Sequence, residues 1–365
     1  MIVLDRITKA YDKKEIVKDF SLQVNEGELC VLIGPSGCGK TTTLRMINRM
    51  VEPVSGNIFI NGVDIRSIEP VKLRRSMGYA IQMVGLFPHM DVFSNIATVP
   101  ELLGWEKKRI KTRVGELLQL VGLNPENYCS KFPHQLSGGE AQRVGVARAL
   151  AADPSILLMD EPFGAVDPLN RIRLQTQFLN IQKKLHKTII LVTHDLDEAI
   201  RLGDRIAIMN EGKLVQYGCP EEILARPANK FVYDFVGSDR ALKRLSRIDI
   251  GSHMQKAPSI GIGTEKANAL KISKKYSWVW VKDENNRLKG WIDVDVLPRV
   301  GSLREAVSEI DAADISVTRQ SSLKEALSIM LGHGLKRIPV IDENQCLLGE
   351  VGMDAIEKIM AETQK

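Results

Sequence analysis

The chain has 365 residues, enough for two or three domains, and 44% of them are hydrophobic, which supports sizeable cores. A formal net charge of +5 is too small to indicate a nucleic-acid-binding protein, and a mixed, solvated surface explains it. The cysteines are scattered and odd in number, which favours reduced thiols in a cytosol over a disulfide framework or a zinc site.

No targeting or membrane segment is visible in the sequence. The N-terminus, MIVLDRITKAYDKK, lacks the apolar core of a signal peptide. The longest apolar runs, SILLM and TIILV, are far shorter than a membrane span. We therefore expect a soluble chain, which can still lie against a membrane through a partner.

A glycine-rich loop follows the first strongly apolar run. Residues 28–33, ELCVLI, predict a buried strand, after which come GPSGCGKTTT and a helical run, LRMINRM. Gly34, Gly39, Lys40 and Thr41 meet the pattern GxxxxGK[ST], in which backbone N–H groups and a helix N-terminus surround phosphate oxygens. We predict that Lys40 neutralises the β- and γ-phosphates of a nucleotide and that Thr41 holds Mg²⁺. The alternative is an ordinary glycine-rich turn.

A second pair of glycines precedes a helix-prone run at residues 136–144, LSGGEAQRV. Each glycine within a helix costs about 1 kcal/mol relative to alanine, so the pair needs a physical reason.

Two further apolar runs end in ionisable residues. SILLMDEP, at 155–162, predicts a central parallel strand. We expect Asp160, at its end, to reach Mg²⁺ through water, and Glu161 to polarise the attacking water. TIILVTHD, at 188–195, predicts a neighbouring strand that ends at His194. Because ligands bind at the carboxyl edge of open α/β sheets, we predict that His194 contacts the γ-phosphate or the water. Solvated acids and a structural histidine are the alternatives.

Together these motifs resemble those of ATP-binding-cassette (ABC) ATPases. LSGGEAQRV resembles the family's signature and lies a short helix before LLMDEP, as in that family, and the resemblance covers roughly residues 1–237. It implies an α/β fold with a P-loop, RecA-like ABC ATPase core and with small antiparallel β and helical subdomains, the helical one at about 85–155. The residues that it implies around ATP are Tyr11, which would stack on adenine, and Gly34, Pro35, Ser36, Gly37, Cys38, Gly39, Lys40, Thr41, Thr42, Ser137, Gly138, Gly139 and Gln142.

The resemblance also assigns catalytic and metal-binding roles. Glu161 would be the catalytic base and His194 the switch histidine. Gln82 would contact both Mg²⁺ and the attacking water. The metal ligands would be Thr41, Gln82 and Asp160. GAVD, at 164–167, matches the family's D-loop, with Val166 in place of the usual leucine.

The glycine pair in LSGGEAQRV is then explained as a second anion-binding helix start. Gly138 and Gly139 would allow close backbone approach, and Ser137 would donate a hydrogen bond to the γ-phosphate. In this family the site is completed in trans, which implies a head-to-tail homodimer with ATP buried between two copies. ATP would act as a clamp that hydrolysis releases, and this differential binding could drive a transport cycle.

A single cassette without membrane spans implies separate transmembrane permease subunits and a peripheral location at the cytoplasmic face of the cell membrane. In the family, the segment that follows Gln82 receives the permease. Leu86, Phe87 and Met90 are the apolar members of that segment here, and local core packing is the alternative for each.

The amino-acid sequence of this region makes the resemblance more specific, to one group of ABC ATPases. RRSMGYAIQ, GLFPHMDVFSNIATVPELLGW and RPANKFVYDFVGSDRALKRL resemble ATPase subunits of importers for quaternary-amine osmolytes, among them glycine betaine, choline and carnitine. The osmolyte would bind an extracytoplasmic substrate-binding protein, so we do not interpret the tryptophans of this chain as its aromatic cage. The alternatives are the ATPase of an importer for another solute, such as an amino acid or phosphate, and a non-transport ABC protein. No nucleic-acid partner is expected.

After Arg240 the cassette pattern ends, and we place a linker at 238–250. A weak repeat follows: VKDENNRLKGW, from Val281, aligns with VIDENQCLLGE, from Val340. Each copy predicts a strand, a polar turn and a second strand, and SLKEALSIMLGHG predicts a helix before the second copy. The segment 251–365 resembles an α+β tandem pair of cystathionine-β-synthase (CBS) domains, the first degenerate at about 251–300 and the second at about 301–365.

The ligand of the CBS pair stays open. Both copies lack the serine or threonine of the nucleotide-binding ending, and Asp295 and Asp354 lie one residue early, which argues against AMP or ATP. Cyclic di-AMP at the dimer interface of the pair is one option. Ionic-strength sensing is another, in which basic residues meet anionic lipid and salt screens the attraction. A solvated basic surface or a passive dimer spacer are the alternatives. The basic residues are Lys271, Lys274, Lys275, Lys289 and Arg299.

Overall fold

The protein is described by a computed structural model over residues 1–81, 85–164, 166–265, 268–269, 271, 276, 278–309 and 312–362. The chain divides into two compact units. The first consists of Met1–Ile223 and Pro227–Phe235, and the second of Leu224–Arg226 and Val236–Lys365. Within the described residues, no helix combines the length and the apolar character needed to cross a bilayer.

Two sheets form the frame of the first unit. The four-stranded sheet has the spatial order β2 (Lys14–Val24), β1 (Ile2–Tyr11), β4 (Ser55–Ile60), β5 (Val63–Asp64), and its pairs are antiparallel. The six-stranded sheet has the order β10 (Lys213–Gly218), β9 (Arg205–Asn210), β3 (Leu29–Ile33), β8 (Thr188–Thr193), β7 (Ile156–Asp160), β6 (Met77–Ala80). In the second sheet, only the pairing of β10 with β9 is antiparallel among the described strands.

The three central strands β3, β7 and β8 are buried along their whole length. Their sequences, LCVLI, ILLMD and TIILVT, are nearly continuous apolar runs rather than alternating ones, as expected for parallel strands that are covered on both faces. The strands predicted at 28–33, 155–162 and 188–195 are confirmed.

Helices pack against the sheets. A further group of helices lies in the part of the chain that connects β6 to β7. The helices before residue 237 are α1 (Lys40–Ile47), α2 (Pro70–Arg75), α3 (Val92–Leu102), α4 (Lys107–Leu120), α5 (Pro125–Tyr128), α6 (Gly138–Leu150), α7 (Pro168–Leu185), α8 (Leu196–Leu202), α9 (Pro220–Ala225) and α10 (Lys230–Val236). Helix α4 shows why this group forms: it buries Ile110, Val114, Leu117 and Leu118, which repeat with helical spacing on one face. Helix α3 packs on α4 and α6, within the segment predicted as a helical subdomain.

The second unit contains mixed helices and strands. Its elements are α11 (Arg240–Leu245), β11 (Ser259–Gly261), β12 (Trp278–Lys282), β13 (Leu288–Asp293), α12 (Leu303–Ala306), β14 (Ser308–Glu309), α13 (Ala312–Ile315), α14 (Leu323–His333), β15 (Arg337–Ile341), β16 (Leu347–Gly352) and α15 (Met353–Glu362). Strand β12 pairs with β13, and β15 with β16, each as an antiparallel hairpin. The strands, the turn and the helix that the repeat predicts are thereby confirmed.

The first acid of each copy builds the hairpin turn. Asp283 Oδ1 accepts the backbone N–H groups of Asn285 and Arg287, each at 2.9 Å. Asp342 Oδ1 does the same for Asn344 at 2.9 Å and Cys346 at 2.8 Å. This is the Asx turn that short acidic side chains favour, and it explains why the repeat retains the acid.

The two copies are joined by equivalent hydrogen bonds. Leu288 N–H donates to the carbonyl of Gln345 at 3.0 Å, and Leu347 N–H donates to that of Asn286 at 3.2 Å. Each bond joins the turn of one copy to the second strand of the other, as in a local two-fold arrangement. The repeat therefore forms one mutually supporting pair.

The glycine that ends the shared motif allows a neighbouring strand to pass. A Cβ at Gly290 would lie 2.3 Å from the carbonyl oxygen of Ser308, and one at Gly349 would lie 2.6 Å from that of Gln255. Ser308 precedes the second copy and Gln255 precedes the first, so each copy pairs with the segment before the other. The first copy pairs with β14, and the second pairs with Gln255 through an isolated bridge. Both approaches are too close for any side chain.

Candidate active site

The carboxyl ends of β3, β8 and β7 bring the predicted groups to one edge of the six-stranded sheet. The register pairs Ile33 with Thr193 and Asp160 with Val192. The glycine loop therefore starts beside the residues that lead into His194, and those lie beside the acids that end β7. This is the edge at which the sequence pattern predicts that the catalytic groups collect.

The glycine loop is shaped by two close backbone approaches. A Cβ at Gly34 would lie 2.1 Å from the carbonyl oxygen of Met209, and one at Gly39, whose φ is +106°, would lie 2.7 Å from that of Ile16. Pro35, Ser36 and Gly37 are exposed at the tip of the loop. Cys38 and Gly39 are buried beneath it, and Thr41 and Thr42, in the first turn of α1, are half-buried.

The ammonium group of Lys40 points into this loop. It donates to the carbonyl of Gly34 at 2.7 Å and to that of Pro35 at 2.9 Å, and the residue is only 7% exposed. The positive charge therefore faces the interior of the loop, where phosphate oxygens would receive charge-assisted hydrogen bonds.

Thr41 and Asp160 form an oxygen pair from two different elements. Thr41 Oγ1 donates to Asp160 Oδ1 at 3.0 Å. Burial raises the pKa of Asp160, and the neighbouring charge of Glu161 acts in the same direction, while the hydrogen bond from Thr41 opposes both. Hydroxyl and carboxylate oxygens are the ligands that Mg²⁺ prefers, and this ion takes one or two protein oxygens together with substrate phosphates. The donor set fits that metal. Among the described residues, no cluster of three or more His, Cys, Asp or Glu side chains has an arrangement that could hold a metal ion.

Glu161 and His194 are in direct contact. His194 Nδ1 lies 3.1 Å from Glu161 Oε1, and the histidine is 61% exposed while the glutamate is largely buried. Glu161 has a φ of +46°, and its N–H donates to the carbonyl of Val192 at 2.9 Å. A left-handed glutamate is an uncommon conformation that is often retained at functional sites. Here it turns the carboxylate away from the end of β7 and toward the histidine.

The signature segment begins helix α6. Ser137 is the N-cap: its N–H donates to Glu140 Oε2 at 2.8 Å, and its Oγ accepts the N–H of Glu140 at 3.3 Å. This is a capping box. Ser137 and Gly138 are exposed, and within the described residues no hydrogen bond joins the segment 137–139 to the glycine loop of the same chain.

Glu140 is a residue that the sequence analysis missed. The hydroxyl of Tyr128 donates to its carboxylate, and this hydrogen bond is the main reason that the pKa of Glu140 falls to about 2. The spacing Ser-x-x-Glu at 137–140 is the signal that could have identified it. Gln142, by contrast, is buried in α6 rather than presented at the helix start. Its predicted contact with ATP stays a prediction.

The remaining predicted residues are dispersed. Tyr11, at the end of β1, is 45% exposed, and the ammonium of Lys9 lies 5.1 Å from its ring centroid. Gln82 lies outside the described residues. Phe87 is 40% exposed, whereas Leu86 and Met90 are half-buried.

Phe87 is held by buried and charged neighbours. Its backbone N–H donates to Asn95 Oδ1 at 2.8 Å, and Asn95 Nδ2 returns a hydrogen bond to its carbonyl at 3.1 Å. The guanidinium of Arg148 lies 5.6 Å from the centroid of its ring. An exposed aromatic ring on an anchored backbone is suited to contact another protein.

In the second unit, the acid that lies near the predicted ligand position already has a partner. Asp354 Oδ1 is 3.2 Å from Arg337, whose guanidinium also contacts the buried Glu350 at 3.1 Å. Trp280, in the first copy, donates to the other oxygen of Glu350 at 2.9 Å. These contacts join the two copies. Of the predicted basic residues, Lys274 and Lys275 lie outside the described residues, and Lys289 is 3.8 Å from Asp283.

Comparisons with known proteins extend over nearly the whole chain. Residues 17–164 match the ABC transporter family, and residues 307–362 match the CBS domain. The chain is 44% identical to the glycine betaine/carnitine/choline transport ATP-binding protein of Bacillus subtilis, over 96% of this chain and 94% of that protein. It is also 44% identical to the osmoprotectant import ATP-binding protein of Salmonella typhimurium, over 98% and 95%.

Solved structures match the first part of the chain. A bacterial ABC transporter cassette in dimeric form has a TM-score of 0.55 and 31% identity, over 60% of this chain and 98% of that one. A post-hydrolysis state of a dimeric cassette, bound to ADP and Pi, has a TM-score of 0.55 and 29% identity, over the same shares. The predicted ABC fold is confirmed.

Proposed function

The chain belongs to the family of ABC transporter ATPases, and we propose that it drives the import of quaternary-amine osmolytes through separate permease subunits. Its activity is ATP hydrolysis coupled to transport. The observation that carries the substrate class is the extent of the similarity: it includes both the cassette and the tail of a relative named for glycine betaine, carnitine and choline.

ATP binds with its phosphates in the glycine loop and its adenine on Tyr11. The inward ammonium of Lys40, held by two carbonyls, supports its role as the group that neutralises the β- and γ-phosphates. Thr41 and Asp160 would hold Mg²⁺, together with the predicted ligand Gln82, and the 3.0 Å contact between Thr41 and Asp160 supports this assignment. When bound, the metal would supply positive charge that offsets the negative charge of the phosphates.

Glu161 is the base of the hydrolytic step, and His194 orients the reacting groups. Glu161 accepts a proton from the attacking water, while His194 stays beside it at the γ-phosphate. The 3.1 Å contact between the two side chains supports this pairing. A positioned base of this kind contributes about 10²- to 10⁴-fold to a rate.

A second copy of the chain completes the site. Ser137, Gly138 and Gly139, at the exposed start of α6, bind the γ-phosphate of the ATP held by the partner copy. The 13-residue helix offers first-turn N–H groups and a favourable dipole to an anion. A solved cassette that resembles this chain is described as dimeric, which supports the arrangement.

The subunit lies at the cytoplasmic face of the membrane, bound to its permease. The exposed Phe87 on its anchored loop supports the predicted permease contact, with Leu86 and Met90 beside it. The osmolyte itself is held by an extracytoplasmic binding protein, with which this chain interacts only indirectly.

The tail regulates the ATPase, either by ionic strength or by cyclic di-AMP. Asp354 is already paired with Arg337, which supports the expectation that AMP or ATP is not its ligand. The exposed Lys271 and Arg299 are available to anionic groups. A tail that only spaces the dimer would leave the ATPase indifferent to both signals.

The test is transport by the reconstituted complex of this chain with its permease and binding protein. We expect uptake of labelled glycine betaine that requires ATP and is lost in Lys40→Ala, with a rate that changes on titration of salt or of cyclic di-AMP. Uptake of an amino acid and not of betaine would overturn the substrate class. A rate unaffected by both titrations would overturn the regulation while leaving the ATPase assignment intact.

A further inference from the structure

Arg171, in the first turn of α7, contacts two loops that leave neighbouring strands. Its Nη2 donates to the carbonyl of Val166 at 3.0 Å, and its Nη1 lies 3.4 Å from Asp195 Oδ2. Val166 lies in the loop after β7, which begins with Glu161, and Asp195 directly follows His194 after β8. One guanidinium thus connects the loop of the base to the loop of the histidine.

Asp195 also fixes the direction in which the chain leaves β8. Its Oδ1 caps α8 by accepting the N–H groups of Asp197 at 2.9 Å and Glu198 at 3.1 Å. Its own N–H donates to Thr193 Oγ1 at 3.0 Å. His194 is therefore held on both sides, and a shift of the Asp195 carboxylate would move its backbone.

The side chain of Arg171 suits this bridging role. It is 29% exposed, and its Nε is buried without a hydrogen-bond partner among the described residues. The planar fork of an arginine can reach a carbonyl and a carboxylate together, whereas the single ammonium of a lysine cannot do so in the same geometry.

Two other hydrogen bonds join α7 to α8 without involving Arg171. Gln175 Nε2 donates to the buried Glu198 at 3.1 Å, and Arg201 Nη2 donates to Thr176 Oγ1 at 2.8 Å. The packing of the two helices therefore has support that does not pass through Arg171. What Arg171 adds is the connection to Val166 and Asp195.

We propose that Arg171 is a positioning residue for ATP hydrolysis, which sets the separation of the two loops so that Glu161 and His194 stay in contact. The inference rests on the roles proposed above for those two residues. Since Arg171 touches neither the glycine loop nor Lys40 within the described contacts, it acts on the chemical step rather than on ATP binding.

The first test is Arg171→Lys, which keeps the charge and loses the fork. We expect kcat per ATP-binding site to fall about tenfold with KM for ATP unchanged, because small displacements of reacting groups lower rates steeply. The matched control is Arg201→Lys, which weakens another hydrogen bond between α7 and α8, and it should keep the wild-type kcat. A wild-type kcat in Arg171→Lys, or an equal loss in both variants, would overturn the proposal.

A double-mutant cycle separates positioning from general stabilisation. Asp195→Asn keeps a good N-cap for α8 but removes the charge that faces Arg171. If the two residues act through one contact, the double variant should have a kcat no lower than that of the slower single variant. Multiplicative losses would contradict the bridge.

Glu161→Gln, assayed in parallel, distinguishes a failure of the proposed base from a failure of the positioning role of Arg171. An active Glu161→Gln protein would refute the proposed base, on which the inference depends. An inactive Glu161→Gln protein beside a fully active Arg171→Lys protein would refute the positioning role alone.

Discussion

At the carboxyl edge of the six-stranded sheet, the carboxylates of Asp160 and Glu161 meet side chains from other elements, Thr41 and His194. In the hairpin repeat of the second unit, Asp283 and Asp342 instead turn an oxygen onto the backbone of their own turn. Both regions carry acids at the end of a strand or directly after it. In the first the acids contact side chains of other elements, and in the second they build the turn.

The glycines of the two regions differ in the same way. Gly34 and Gly39 shape a loop whose tip is exposed, and the loop surrounds an ammonium group. Gly290 and Gly349 are instead needed because the backbone of the segment before the other copy passes close to each of them. A motif of glycine and acid therefore indicates a ligand site only under two conditions. The polar groups of the motif must not be bonded within their own turn, and the space beside its glycines must not be filled by another part of the backbone.

The strongest test of this difference is Glu161→Gln. We expect ATP turnover to fall by about 10²- to 10⁴-fold, because the amide cannot accept the proton of the attacking water. ATP binding should persist, since Lys40 and the glycine loop are unchanged. Steady-state hydrolysis and nucleotide binding on the same preparation would measure both.

The control is Glu26→Gln, the same substitution at an exposed acid between β2 and β3. It should leave turnover unchanged. Near-normal turnover in Glu161→Gln would mean that the acids of the sheet edge are structural, like those of the repeat, and the contrast between the regions would disappear.

The sequence predicted the elements of both regions better than their contacts. The central strands were predictable because LCVLI, ILLMD and TIILVT are apolar without interruption, and the edge at which they deliver Asp160, Glu161 and His194 follows from parallel pairing. The 3.1 Å contact of His194 with Glu161 depends on a left-handed backbone at the glutamate. A glutamate in the sequence does not predict that conformation.

Other features depend on neighbours that are distant along the chain. The role of Gly349 depends on Gln255, which lies 94 residues earlier by number, and Arg171 has no periodic pattern that would mark its two partners. The capping box at Ser137 and Glu140 is different, because the local spacing Ser-x-x-Glu is enough to predict it from the sequence. The hydrogen bond from Tyr128 to Glu140 joins residues 12 positions apart, and the local spacing does not predict it.

The second test is Gly349→Ala, which addresses the structural use of glycine in the repeat. The new Cβ would lie 2.5 Å from Met254 Cγ and 2.6 Å from the carbonyl oxygen of Gln255. Overpacking of this kind lowers the free energy of unfolding by about 1–3 kcal/mol. We expect faster amide exchange at Gln255 and Glu350, whose backbones pair across this contact, and an earlier denaturant transition of the second unit.

Gly332→Ala is the matched control for that experiment. Gly332 lies within α14, and no atom lies within 4 Å of the position of its Cβ. Alanine there should raise stability by up to about 1 kcal/mol, because it favours the helix. Equal behaviour of the two variants would show that the strand passage does not constrain the repeat.

The smallest expected effect is the pH dependence of the Glu140 contact at the start of α6. The pKa of Glu140 is about 2 in the folded protein, mainly because Tyr128 donates to the carboxylate, and about 4.3 is usual for an unfolded chain. A lowered pKa means that the ionised form stabilises the fold. The contribution is complete above pH 4.3 and is lost as the pH falls toward 2.

Glu140→Gln should therefore lower the free energy of unfolding by about 1 kcal/mol at pH 7, once solvent screening is allowed for, and by less as the pH falls from 4.5 toward 2. Denaturant unfolding of both proteins across that range would measure the difference. Tyr128→Phe removes the main cause of the shift, and the double variant should lose no more than the larger single loss. A difference that is constant with pH would show that the carboxylate is only one more acid at a helix start, and that its pairing with Tyr128 contributes nothing to the signature segment.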